Sequence, residues 1–166
     1  MNAGIFVLCL SAFACASAVP AKDTQGANVS EQASKNKRVI QKFYEEFLNQ
    51  QKNELVAELV SPSFVDHSNG SRGVEGVEKA ATGLKTAFEG LHFEISDVFA
   101  EGDLVALRWV RTGKQIAPFF GVAPTGQPSE ARGTNIYRLS DGKITESWIG
   151  IDPSTIRAQL QATNAR

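Results

Sequence analysis

At Gly90 the hydrophobic period of this chain changes, and that change restricts the fold more than any other feature. Before it, apolar residues recur at spacings of three and four, the signature of amphipathic helices. Val39, Ile40, Phe43, Phe47 and Leu48 form the stripe of a first helix that opens near Ser30 or Ser34. Leu55, Val56, Leu59 and Val60 form a shorter second helix, closed by Ser61-Pro62. Val77, Ala80, Ala81, Leu84, Ala87 and Phe88 mark a third, from Val74 to Glu89, with a short strand at Phe64–Ser68 before it. After Gly90 the period is two. His92–Ala100 alternates, the Glu101-Gly102-Asp103 turn follows, and Val105, Leu107 and Trp109 share one face of the next strand. Helices followed by a meander predict an α+β domain. A curved antiparallel β-sheet closed on one side by three main N-terminal helices makes a cone around an apolar pocket, with a short C-terminal helix at the end.

Arg132 to Asp152 reads as a β-hairpin around Asp141-Gly142, a pair suited to a tight turn with φ > 0 at both positions. A two-residue turn would place Leu139 opposite Ile144, Tyr137 opposite Glu146 and Asn135 opposite Trp148. One face would then carry Leu139, Ile144 and Trp148 as an apolar floor. A longer turn or a bulge would change that facing. Asp152-Pro153 opens the last helix as an N-cap followed by proline at the first helical position.

The first 21 residues read as a cleavable signal peptide. Ile5–Ala18 is apolar but too short to span a bilayer, and Ala16-Ser17-Ala18 or Val19-Pro20-Ala21 supplies a small-residue cleavage site. Export to the periplasm or the exterior is the expectation. Residues 22–35 are polar and read as a flexible leader, which leaves 36–162 as the domain. Both cysteines, Cys9 and Cys15, lie in the signal segment, so the mature chain offers no disulfide or thiolate. The net charge of -1 gives no support for nucleic-acid binding, and no stretch reads as a membrane span. His67 and His92 are the only histidines and no ligand spacing appears, so no metal site is expected. No Gly-x-Ser-x-Gly elbow or phosphate-binding glycine loop is present.

In order, the chain shows FVDH, EGDLVALRW, the loop FFGVAPTG with Pro124-Thr125-Gly126, and NIYRLSDGKITESW ending at Trp148. From about Lys37 to Leu160 this resembles the SnoaL-like polyketide cyclase or ester cyclase family, of the nuclear-transport-factor-2-like superfamily. The resemblance implies an acid/base carboxylate near the end of the last strand, working in an apolar pocket on a carbonyl compound without metal or organic cofactor. Asp152 matches that carboxylate. Many relatives carry an Asp directly after the Trp, where this chain has Ile149. The family's pocket-lining segment matches at Asp66 and His67, and relatives often pair as homodimers through the outer sheet face.

The catalytic candidates are therefore Asp152, His67 and Asp66. Asp152 also suits a helix cap, and a carboxylate receiving backbone N–H bonds is a poor base. Asp66 and His67 are adjacent on a strand and face opposite ways, Phe64 arguing for Asp66 inside and Val65 for His67. Phe119, Phe120, Trp109, Trp148, Asn135 and Tyr137 are the candidate substrate-binding residues, with Phe119-Phe120 as a lid. Arg108, Arg111, Arg132 and Arg138 lie on strands, where long cations usually reach out to water; one of them could bind a substrate carboxylate, but nothing in the sequence singles it out. Two functions follow: a cofactor-independent lyase, isomerase or cyclase for a small apolar carbonyl or ester compound, or a module that binds an apolar ligand without turning it over.

Overall fold

The computed structural model describes residues 23–150 and 153–163; the stretch read as a signal peptide and Asp152 lie outside the described residues. Helix α1 spans Asp23–Lys42 and runs on as π-helical turns over Phe43–Asn49. A 3₁₀ turn at Asn53–Leu55 leads into the single-turn α2, Val56–Leu59. Strand β1 (Val60–Asp66) and helix α3 (Gly73–Ala87) follow, then β2 (Phe88–Glu101), β3 (Leu104–Gln115), β4 (Pro128–Ser140), β5 (Lys143–Ile149) and α4 (Pro153–Thr163). The five strands form one open sheet in the order β1-β5-β4-β3-β2. Irregularities between Glu89 and His92, between Ile95 and Asp97, and between Arg138 and Leu139 curve it around α1 and α3. The α+β plan and the curved sheet are those predicted from the change of period, and the short last helix is the one expected after Asp152-Pro153.

Four local expectations are corrected. The stretch 22–35 is helical from Asp23 onward, because its Glu, Gln, Ala and Lys residues extend the amphipathic helix outward; Glu31 and Lys35 pair one turn apart at 2.7 Å. The second helix stops at Leu59, since Pro62 biases Ser61 away from helical geometry and Val60 favours a strand. The sheet is not wholly antiparallel: β1 pairs with β5 in parallel, and as an edge strand it tolerates Pro62. The hairpin turn is as expected, with Asp141 and Gly142 at φ 51° and 75°, and Leu139 does pair with Ile144. Beyond that pair a bulge at Thr145 shifts the register by one, so Tyr137 meets Ser147 and Asn135 meets Ile149. One extra residue inverts every later side chain. Ser147 therefore faces inward and Trp148 outward.

The core fills the concave side. Ile40, Phe43, Tyr44 and Phe47 pack against Val105, Leu107 and Leu139 of the sheet and against Ile144. Burying each phenylalanine is worth roughly 1.5–3 kcal/mol. Two asparagines fix α1 and its extension to β2 and the β2–β3 turn. Buried Asn36 donates to the Gly102 carbonyl at 3.0 Å, and Asn49 exchanges two 2.8 Å bonds with the Phe93 backbone.

Candidate active site

Between α1, α3 and the sheet lies a cavity of about 400 Å³, walled mainly by apolar groups that include Phe43, Leu48, Val77, Leu84 and Phe93. The strand register sets out its polar residues in rows. Asp66, Ser147 and Tyr137 stand side by side on β1, β5 and β4, and Asn135 with Ile149 forms the next row. Further along the same face come Trp109 opposite Gly133, then Arg111 opposite Ala131. The Trp109 indole lies against the Gly133 backbone, where an added Cβ would sit 2.4 Å from the ring. Glycine is what permits that approach.

Asp66 is 7% exposed. Its Oδ1 accepts the Ser68 N–H at 2.8 Å and its Oδ2 accepts from Asn69 Nδ2 at 3.0 Å, so the carboxylate is held on the cavity wall with a fixed orientation. Phe64 settles the strand's facing, since it is buried and shares a face with Asp66. Beside it, three buried groups close a hydrogen-bonded ring. Asn135 Nδ2 donates to the Tyr44 hydroxyl at 2.8 Å and to the Tyr137 hydroxyl at 2.9 Å, and the two hydroxyls are 2.9 Å apart. Only one phenol can donate to the other across that last contact. The second O–H proton stays available to a ligand.

Burial pushes Tyr137 up to about 12, and the Asp66 charge acts in the same direction. Burial is also the main reason that Tyr44 is raised well above 10, with Tyr137 adding to it. Both phenols are thus neutral donors at ordinary pH. They are the only tyrosines in the chain. The folded protein should therefore show no phenolate absorbance at pH about 10, where an unfolded chain is half titrated. The sign follows from linkage: neutral phenols stabilise the fold fully below about pH 10, and this contribution is lost as pH rises through about 12. An ultraviolet pH titration with a parallel unfolding probe should show phenolate appearing together with loss of structure; a phenolate signal near pH 10 in the folded chain would refute the buried ring.

Of the residues singled out in the sequence, Asp66, Trp109, Asn135, Tyr137, Phe119 and Phe120 line this cavity. Phe119 and Val122 exchange backbone bonds of 3.1 and 3.0 Å, with Phe120 (φ 47°) and Gly121 (φ 78°) at the tip of a tight turn over the mouth. His67 and Trp148 are not with them. They stack on the outer face with centroids 4.7 Å apart, and His67 Nε2 lies 2.6 Å from Glu146 Oε2. Glu146 in turn accepts from Arg138 Nε at 2.8 Å. Tyr44, Ser147 and Arg111 join the cavity lining beyond the residues singled out in the sequence; Tyr44 and Arg111 carry a signal for it, and Ser147, turned inward by the bulge, does not. Tyr44 lies on the Ile40–Phe47 stripe, and Arg111 continues the inward alternation of Val105, Leu107 and Trp109. Arg111 is 3% exposed and does not reach out to water. Among the described residues no group of three His, Cys, Asp or Glu side chains could hold a metal ion, and no helix is long and apolar enough to cross a membrane.

A family model described as SnoaL-like polyketide cyclase matches residues 38–160. Solved structures agree with it. A proposed SnoaL-like polyketide cyclase from Jannaschia sp. CCS1 is 26% identical, with a TM-score of 0.70 over 81% of this chain and 95% of its own. IdmH, a proposed polyketide cyclase from Streptomyces antibioticus, is 32% identical, with a TM-score of 0.65 over 76% of this chain and 98% of its own. A proposed polyketide cyclase from Bacillus cereus ATCC 10987 is 30% identical, with a TM-score of 0.66 over 79% and 83% of the two chains. No curated protein matches the chain significantly.

Proposed function

Since the chain belongs to the SnoaL-like polyketide cyclase family, we propose that its cavity is an acid–base active site for a largely apolar carbonyl or ester compound. The carrying observation is the Asp66 carboxylate in one row with Tyr137, beside the Tyr44–Asn135–Tyr137 ring. Asp66 takes a proton from the carbon next to the substrate carbonyl through a lone pair that the single backbone N–H of Ser68 and the Asn69 amide leave free. The free phenol O–H donates to the carbonyl oxygen as negative charge develops there. That stabilises an enolate, the common intermediate of isomerisation, elimination and ring closure. His67 is not assigned a proton-transfer step, because its ring lies on the outer face with Trp148 and Glu146. The rival reading, a binding module, keeps the cavity and drops the chemistry.

The two readings separate in deuterated water. Flat aryl ketones such as 2-tetralone, first checked for binding, should exchange their α-protons faster with the protein than with buffer at the same pH, as followed by proton NMR. Compounds that bind without accelerated exchange would establish the binding module. Export and pairing belong to the same proposal. The Ile5–Ala18 run supports export, and the mature chain would then begin at Val19 or Lys22 on amino-terminal sequencing. The outer-face row Phe99, Ala106, Ile136 and Trp148, contiguous by strand register, supports a homodimer through that face. Sedimentation giving only monomer at micromolar concentration would remove the dimer.

A further inference from the structure

Arg111 does not belong to the proton-transfer chemistry, yet among the described residues it is the one lysine or arginine that is buried. Its side chain is buried, its guanidinium lies 3.7 Å over the Phe88 ring, and among the described residues neither Nη1 nor Nη2 has a hydrogen-bond partner. Trp109 Nε1, two residues back on the same face, is likewise buried without a partner. Arg111 and Trp109 both line the cavity. The charged residues of the lining are Asp66, Lys79 and Arg111, and Lys79 is exposed. The Arg111 row and the Asp66 row are six residues apart on β4, about 20 Å along the strand. Asp66 is therefore not its counter-ion.

Nη1 and Nη2 are shielded from water as well as unpartnered among the described residues, so a ligand acceptor that reaches the guanidinium adds hydrogen bonds that a purely apolar ligand cannot supply. A buried cation left unpaired by its own ligand would oppose binding. A planar carboxylate matches the guanidinium fork with two parallel bonds. We propose that the cavity takes an elongated ligand with a carboxylate at one end, gripped by Arg111 beside Phe88, and its reacting carbonyl at the Asp66 end. This rests on the acid–base reading for the position of the carbonyl, and the carboxylate grip can be tested apart from it. Repulsion between the ligand's carboxylate and Asp66 would also set the direction of entry. Burial lowers the Arg111 guanidinium to about 10, still charged at neutral pH, so the grip is electrostatic as well as geometric.

The experiment compares 2-naphthylacetate with its neutral isostere 2-naphthylacetamide by titration calorimetry. Wild-type protein should bind the carboxylate about tenfold or more tightly than the amide. Arg111→Gln should remove that preference while leaving amide affinity within roughly threefold, and Arg111→Lys should restore part of it. Equal affinities in the wild type, or a preference that survives in Arg111→Gln, would overturn the proposal while leaving the cavity as a binding site. Failure of the proton-transfer reading would appear separately, as absent α-proton exchange with carboxylate binding intact. A second measurement needs no ligand. Arg111→Met removes a buried charge that is unpaired among the described residues and should leave the melting temperature unchanged or raise it by about 3–8 °C. A lowered melting temperature would mean that Arg111 is a structural cation on Phe88 and would also overturn the proposal.

Discussion

Asp66→Asn is expected to lower α-proton exchange by roughly 10²- to 10⁴-fold, the usual contribution of a positioned general base. The amide keeps the size of the carboxylate, and its oxygen can still accept the Ser68 N–H. What it loses is the second acceptor, the one that meets Asn69 Nδ2. That leaves two donors facing each other and costs about 1 kcal/mol, too little to unfold a domain of this size. Ligand affinity and circular dichroism should therefore change little while turnover collapses. Asp152→Asn is the necessary companion. If the carboxylate matched by family resemblance does the work, that variant falls and Asp66→Asn does not. If both keep full exchange, neither carboxylate is the base.

The second large effect concerns the phenols. Because one hydroxyl proton is committed between Tyr44 and Tyr137 and the other is free, either tyrosine alone can still donate to a substrate oxygen. Tyr44→Phe and Tyr137→Phe should each cost less than about tenfold, whereas the double substitution should cost about 10²- to 10³-fold, as loss of an oxyanion donor does. The effects would be strongly non-additive, which is how two groups filling one role behave. The double variant keeps its ring volumes but leaves Asn135 Nδ2 without its two acceptors. Its stability therefore has to be measured beside its rate, with an expected cost of about 1–3 kcal/mol. Additive single losses would mean that the phenols act separately and would remove the shared-donor account.

Much of the architecture was legible because periodicity is a strong signal over long elements. The α1 stripe, the α3 stripe, the inward face of β3 and the Asp141-Gly142 turn all follow from residue spacing alone. What escaped were single-residue events. Nothing in the string Lys143–Trp148 announces that Thr145 is an unpaired bulge residue, yet that residue sends Ser147 into the cavity and Trp148 out of it. The choice between Asp66 and His67 had the same character: alternation forces them apart but does not say which is inside. That was decided by contacts, with Phe64 joining the core and His67 meeting Trp148 and Glu146 of the neighbouring strand β5 on the outer face. Arg111 was hidden for another reason. General experience places strand arginines in water, and only the whole cavity shows one that is not.

The bulge also gives the sheet two separate optical reporters. The chain has two tryptophans, and they look out from opposite sides of the same sheet. Trp109 is buried on the cavity wall, so its emission responds to what fills that space. Trp148 is stacked on the His67 imidazole on the outer face, in the row proposed above as the meeting surface of two copies. Replacing one indole by phenylalanine isolates the signal of the other. Occupancy of the interior and events on the exterior thus become two colours of one spectrum, read without any added label.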